Sequence, residues 1–321
     1  MRFIARRVVH SILILIAVSF LSFTLLQWAP GDYFDGLRMN PRISPETVNG
    51  LREKFGLDQP FLVRYERWMR SVAAGEMGFS FAYDSPVGPL LWARAGNTFL
   101  LGGCSTLLAW FLALPLGIWM AVRKGRWHDR LFSVVMSTLL AIPDLLLFLL
   151  LLLLALRTGW FPAGGMTSSG FDELNLWGKV LDLVRHLALP SLGLAAVAMP
   201  ILVRHIRAAM VQALESPFLL AARGHGIPHQ RLLWRYALPA ASNPLISLFG
   251  LSIAGMLSAS AIVEVVLSWP GLGPLMVQSV LARDVYVVLA LILLSSIFLV
   301  SGNLLADLLL YASDPRIRVE Q

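Results

Sequence analysis

Charge is what this chain is most short of. Asp, Glu, Lys and Arg make up 14% of its 321 residues, against about 25% in soluble domains. Acidic side chains are the scarcer sign, 19 against 26 basic, for a formal net charge of +7. Cysteine is almost absent. The single Cys104 excludes an intrachain disulfide and most thiolate metal sites, and its apolar neighbours make it a buried filler. No G-x-x-x-x-G-K-[ST] phosphate loop is present, and no G-x-S-x-G nucleophile elbow. His225 and His229 stand at i and i+4, but Gly226 and Pro228 between them break the helix that would align them on a metal. A chain without an ATP site or a catalytic metal borrows any energy it uses.

What the chain has instead is apolar length. Hydrophobic residues reach 57%, with a mean hydropathy of +0.71. Several apolar runs approach the roughly 20 residues that cross a bilayer, so the chain reads as a polytopic membrane protein. Its positive charge then marks the cytoplasmic side of the lipid bilayer and gives no case for nucleic acid. After Met1-Arg2-Phe3-Ile4-Ala5-Arg6-Arg7, the run Val8 to Trp28 is too long for a signal peptide and has no small-residue cleavage site. It predicts a first span, with Trp28 at the far interface. Ala29-Pro30-Gly31-Asp32 reads as a turn.

Residues 30–97 are mostly polar and form an external helical loop. Ser44-Pro45-Glu46 opens one helix and Gly56 ends it; a second runs from Pro60 to Ala73. Arg64, Arg67 and Arg70 share one face of the second helix, as a solvated surface or a docking one. Five further spans are predicted at about 99–122, 131–156, 187–209, 243–266 and 287–310, within a core of residues 98–312. Pro115, Pro143, Pro190 and Pro200 fall in or beside them, which membrane helices tolerate when neighbours satisfy the freed backbone groups. With the N-terminus in the cytosol, the cytosolic pieces hold Arg2, Arg6, Arg7, Arg123, Lys124, Arg126, Arg130, Arg204, Arg207, Arg223, Arg231, Arg235, Arg316 and Arg318. The opposite pieces, apart from the long first loop, hold only Arg157, Lys179, Arg185 and Arg283. This bias predicts six spans with both termini, including the tail 313–321, in the cytosol.

The interval Glu215 to Pro244 is the longest polar and basic stretch between the later spans. Ser216 can cap a helix and Pro217 suits its first position; Gly226 and Pro228 stop it. The expected helix, Pro217 to His225, is too short to be stable alone, so it needs the bilayer surface or a partner protein. A second helical pattern runs from Gln230 to Ala237 and on to Pro239. The spacing of Leu220-Ala221-Ala222, Gly226 and Tyr236-Ala237-Leu238-Pro239 resembles the EAA loop of ATP-binding-cassette (ABC) transporter permeases, with Leu220 in place of the usual Glu and Tyr236 in place of the usual Ile. The bland alternative is a loop helix that only closes off a bundle.

The resemblance extends along the chain. Ala29-Pro30-Gly31-Asp32, Phe55-Gly56-Leu57-Asp58, Gly75-Glu76-Met77-Gly78, Gly125-Arg126-Trp127-His128-Asp129-Arg130, Ser268-Trp269-Pro270-Gly271-Leu272-Gly273, and Asp307, Tyr311 and Asp314-Pro315-Arg316-Ile317-Arg318 are similar to the first permease subunit of bacterial dipeptide, oligopeptide and nickel importers. The resemblance implies an all-α type I importer permease of six transmembrane helices in the inner membrane. It implies a second homologous permease subunit, two cytosolic ATPase subunits that carry ATP and Mg, and an external solute-binding protein that delivers the cargo. It places the ATPase coupling helix in the loop 215–240, at Pro217, Leu220, Ala221, Ala222, Gly226, Leu238 and Pro239.

Polar residues inside spans are candidates for the substrate path. Asp144 either lines the path or caps the half-helix after Pro143. Glu264 lies near the outer end of the fifth span, on the path or at the interface. Ser258, with Ser252, Ser260 and Gly255, either lines the path or lets helices approach closely. Asn303 and Asp307 read as packing residues near the end of the last span. An ion-gradient-driven secondary transporter is the alternative function. It needs a midplane ion site, for which Asp144 is the one candidate, and no inverted repeat of the kind such transporters carry is visible. A membrane scaffold or sensor would not need the loop at 215–240.

Overall fold

The structure is a computed structural model that describes residues 2–28, 33–34, 44–54, 56 and 58–313. Side chains at 2–5, 45, 47, 51, 54, 254, 256–258 and 312–313 are not described. The predicted turn at Ala29-Pro30-Gly31-Asp32 and the tail from Asp314 lie outside the described residues, as does the side chain of Ser258. The chain divides into two compact units: residues 1–98 with 270–298, and residues 99–269 with 299–321.

In the first unit, α1 (Arg2–Trp28), α2 (Pro45–Lys54) and α3 (Phe61–Ala73) are followed by a two-stranded antiparallel hairpin, Phe79–Ser80 with Ser85–Pro86. The aromatic stripe Phe61, Tyr65, Trp68, Met69 and Val72 recurs at helical spacing. It packs with Phe23 and Leu26 of α1 and with Leu289 and Leu293 further along the chain. Phe23 meets the rings of Phe61 and Tyr65 edge-on, each at 5.5 Å between centroids. Ser19 Oγ lies 2.9 Å from the Tyr65 hydroxyl. Each arginine of the α3 face has a side-chain partner: Arg64 donates to Gln27 Oε1, Arg67 to Gln59 Oε1 and Arg70 to Glu66 Oε1. Gly56 ends α2 with φ +65°, which glycine adopts without steric cost.

The second predicted span starts earlier than expected. Helix α4 runs Val87–Val122, because Val87, Leu91 and Ala95 place a fully buried stripe ahead of Phe99. Gly88, Pro89, Arg94 and Gly96 hide that periodicity. Asn97 and Thr98 then clamp the Ser268-to-Gly273 turn: Asn97 Nδ2 donates to the Pro270 carbonyl and Thr98 Oγ1 accepts from Leu272 N–H, both at 2.8 Å. The turn leads into a short apolar helix, α12 (Leu272–Leu281). Buried Asp284 fastens the hairpin to the end of this segment, accepting from Ser80 Oγ at 2.6 Å and from Ala82 N–H at 3.1 Å.

The second unit holds the rest of α4, α5 (Trp127–Ala141), α6 (Asp144–Thr158), α7 (Leu176–Leu214), the short helical segments between Pro217 and Ala240, and α11 (Ser242–Val266). The last helix, α13 (Val285–Ser313), runs through both units. The third predicted span, 131–156, is not one helix. It is α5 and α6, bent by 97°. Pro143 has no N–H to give to the α5 ladder and forces Ile142 into an extended conformation. The fourth, predicted at 187–209, is a single helix of 39 residues, about 58 Å long at 1.5 Å per residue. It contains Pro190 and Pro200 and is capped by Asn175, whose side chain accepts from Gly178 N–H at 2.7 Å.

Close helix crossings are set by glycine. A Cβ on Gly117 of α4 would meet Ile206 Cγ2 of α7 at 2.7 Å, and one on Gly250 of α11 would overlap Ala306 Cβ of α13. Leu145, Leu146, Leu149, Leu150, Leu153 and Leu154 of α6 are exposed, as expected of a lipid-facing surface. Among the described residues four helices are each long and apolar enough to cross a membrane, and the number rises to six when each of two bent pairs counts as one span. Cys104 is only partly buried.

Candidate coupling and translocation site

Helix α8 (Pro217–Gly224) forms where the sequence places it, with Pro217 at its first position and His225 as its C-terminal cap. The helix thus ends one residue before the predicted His225. Ser216 does not cap it through its side chain. Its hydroxyl donates back to the Ala213 carbonyl at 2.6 Å, tying α8 to the last turn of α7. Gly226 terminates the motif with φ +75°, the left-handed conformation that favours glycine.

Such a short helix needs an anchor, and Leu219 supplies it. Leu219 is 1% exposed and packs with Ile206, Met210 and Ala213 of α7. Its neighbours point away: Phe218 is 53% and Leu220 is 54% exposed. Pro217, Ala221, Gly226 and Pro239 are exposed as well, whereas Ala222 and Leu238 pack against the core. The predicted coupling set therefore splits into an outward face and two anchoring residues.

The second helical pattern is more irregular than predicted. It opens at His229 as α9 (His229–Leu232), widens into a π turn at Leu233–Ala237 and closes as α10 (Leu238–Ala240). Pro239 cannot donate to the carbonyl one turn back, so the regular ladder is interrupted there, and the π turn accommodates the break. Leu232 and Ala237 are buried, while Trp234 and Tyr236 are exposed and extend the apolar outer surface of the loop.

Two ion pairs hold the base of this loop, and sequence reasoning assigned a role to neither. Asp129 is buried in the first turn of α5. It takes a bidentate contact from Arg207 of α7, Nε to Oδ1 and Nη2 to Oδ2, both at 2.7 Å. It also accepts from Gly125 N–H at 2.9 Å. Such a fork is stronger and more directional than a single charged contact. Lys124 pairs with Glu215, the residue before Ser216. The signal was present in Gly125-Arg126-Trp127-His128-Asp129-Arg130, but its partner lies 78 positions away.

Above the loop, α4, α7 and α11 enclose a cavity of about 410 Å³. Small residues Gly102, Ser105, Ala109, Ala198, Gly255 and Ala259 open it, while Trp110, Leu202 and Leu248 wall it. His205 is the one titratable side chain among the described lining residues, and Trp110 Nε1 donates to Ser252 Oγ at 3.1 Å. Asp144 and Glu264 lie outside this lining. Asp144 is exposed at the first position of α6, with Pro143 in the cap position and no side-chain cap bond. Glu264 is fully buried in α11, and its carbonyl accepts from Trp269 N–H at 2.8 Å. Among the described candidates, Asp144 and Glu264 therefore do not line this cavity, which is built from residues too small or too apolar to stand out.

Comparison with known proteins fits this geometry. Residues 113–319 match the family described as binding-protein-dependent transport system inner membrane component, and residues 1–91 match its N-terminal region. The chain is 37% identical over 317 residues to the oligopeptide transport system permease protein AppB of Bacillus subtilis, covering 98% of each chain. It is 31% identical over 324 residues to the permease protein OppB of Mycobacterium tuberculosis H37Rv, covering 99% of each. Among solved structures, the MetNI methionine ABC transporter in inward-facing conformations aligns with a TM-score of 0.54 at 18% identity, covering 70% of this chain and 96% of that one; this likeness concerns the fold alone. A membrane-embedded helical bundle with an anchored, outward-facing loop helix, matched over most of its length, thus places the chain in the family of binding-protein-dependent transport system inner membrane components.

Proposed function

We propose that this chain is the permease subunit of an ABC importer and forms half of a translocation pore for peptides or similar small solutes. The reading rests on α8, a helix that Leu219 anchors to α7 and that leaves Phe218 and Leu220 outward on an apolar face. In this reading two cytosolic ATPases bind and hydrolyse ATP with Mg, and one of them receives α8 in a groove. A second homologous permease completes the pore, and an external solute-binding protein supplies cargo. Both termini lie in the cytosol, on the side of the arginine-rich loops. Cargo passes the cavity between α4, α7 and α11, whose apolar lining and single imidazole suit a mostly uncharged, extended solute. The names of the relatives, oligopeptide permeases, support the peptide class.

The mechanism follows from the chain having no energy source of its own. Closure of the ATPase dimer moves α8, and Ser216, Leu219 and Lys124–Glu215 transmit that movement to α7 and α4. The test is reconstitution: the chain, expressed with the products of its neighbouring genes, is placed in proteoliposomes. Uptake of a labelled peptide is expected only with ATP inside the compartment that faces α8 and with the binding protein on the other side. Uptake driven by an ion gradient without ATP would refute the proposal.

A further inference from the structure

At the end of α4 nearest the coupling loop, Pro115, Ile118, Trp119, Val122 and Arg123 face Leu233 and Trp234 of the π turn across a groove of about 260 Å³. Its chemistry changes along its length. Phe111, Pro115, Ile118 and Val122 stand at i, i+4, i+7 and i+11 and so form one aliphatic and aromatic stripe. Phe111, Pro115 and Val122 are exposed and Ile118 is buried beneath them at the groove's floor, so the stripe opens sideways, toward hydrocarbon. The stripe ends at a cation. The Arg123 guanidinium sits 4.5 Å from the centroid of the Trp119 ring, which holds it over the groove's end. Among the described residues no carboxylate pairs with Arg123, although the next residue, Lys124, is held by Glu215 and nearby Arg207 by Asp129. Trp234, which lines the groove with Arg123, is exposed, as indoles at a membrane interface are.

The length decides what fits. From Phe111 to Arg123 the chain rises about 18 Å, about three-fifths of a hydrocarbon core of about 30 Å. A soluble subunit docked on α8 would not reach Phe111. We infer that this groove binds an anionic phospholipid, with its phosphate on Arg123 and one acyl chain along Phe111, Pro115, Ile118 and Val122. A bound lipid there would pack against the π turn through Leu233 and Trp234, so the lipid composition of that leaflet would bear on the coupling loop.

The test is native mass spectrometry of the full chain in a mild detergent, titrated with phosphatidylglycerol and phosphatidylcholine of identical acyl chains. Phosphatidylglycerol is expected to bind about fivefold more tightly, the effect of one cation near an anionic headgroup. Arg123→Gln should bring the two lipids to equal affinity, Arg123→Lys should retain most of the preference, and Val122→Trp should reduce binding of both by blocking the groove. Glycerol phosphate, which has the headgroup without the chains, should not compete. An unchanged preference in Arg123→Gln, or displacement of the lipid by glycerol phosphate or by an added ATPase subunit, would overturn the assignment.

Discussion

Leu219 and Leu220 are adjacent and chemically identical, yet the structure buries one and exposes the other, and the proposed function gives them opposite work. Replacing each with Ala therefore separates anchoring from docking. Leu219 is 1% exposed, and truncation of a buried leucine costs about 2–5 kcal/mol through lost burial and the cavity left behind. Helix α8 has eight residues and is too short to hold itself together, so losing its one buried side chain should release it from α7. Leu220 is 54% exposed. Full burial of a leucine contributes about 1.5–3 kcal/mol, so the half still available to a partner groove contributes about 0.8–1.6 kcal/mol, or about four- to fifteenfold in affinity. The chain's own stability should not register that change. Three measurements distinguish the variants: thermal stability in detergent, trypsin cleavage after exposed Arg223, and recovery of co-expressed ATPase. Leu219→Ala should lower stability and speed cleavage, losing the ATPase as a consequence. Leu220→Ala should leave stability and cleavage unchanged and weaken ATPase recovery alone. Leu220→Glu should weaken it further, because a carboxylate would be placed against apolar surface. Equal destabilisation by both alanine variants would refute the division of labour, and stronger ATPase binding by Leu220→Glu would refute the apolar groove.

Asp129→Asn replaces a bidentate ion pair with a neutral contact and should destabilise the chain by about 1.5–3 kcal/mol, read as a fall in melting temperature. The charge-swapped double variant Asp129→Arg with Arg207→Asp should recover part of the loss if the contact itself is responsible. Gly226→Val places a β-branched side chain at φ +75°, where it is strained, and should lower ATPase recovery and uptake while membrane insertion persists. Asp144→Asn should leave folding intact, since the side chain is exposed and makes no cap bond. Uptake of cationic and neutral peptides by this variant should also match the parent, and selective loss of cationic cargo would return Asp144 to the path.

Local chemistry explains what could be read from the sequence and what could not. The ends of α8 were legible because Pro217 and Gly226 each act within one turn, through a fixed φ and a permitted positive φ. Pro143 marked a candidate half-helix start for the same reason, but the 97° bend that divides the predicted span was not visible. A missing N–H says where a ladder stops, and the neighbours decide the angle. The start of α4 at Val87 was obscured because Gly88, Pro89 and Gly96 carry loop propensity, which tertiary burial of Val87, Leu91 and Ala95 overrides. The base of the coupling loop was illegible in principle. Asp129 and Arg207 have no local pattern, and only the fold makes them a pair. The cavity shows the opposite bias. Intramembrane carboxylates attract functional readings because isolated charge is costly there, so Asp144 and Glu264 stood out, whereas a passage that must not hold its cargo tightly is better lined by Gly, Ala and Ser. Sites built to grip announce themselves by charge. The passage proposed here is lined by small residues, and in sequence these look the same as helix packing until α4, α7 and α11 are placed side by side.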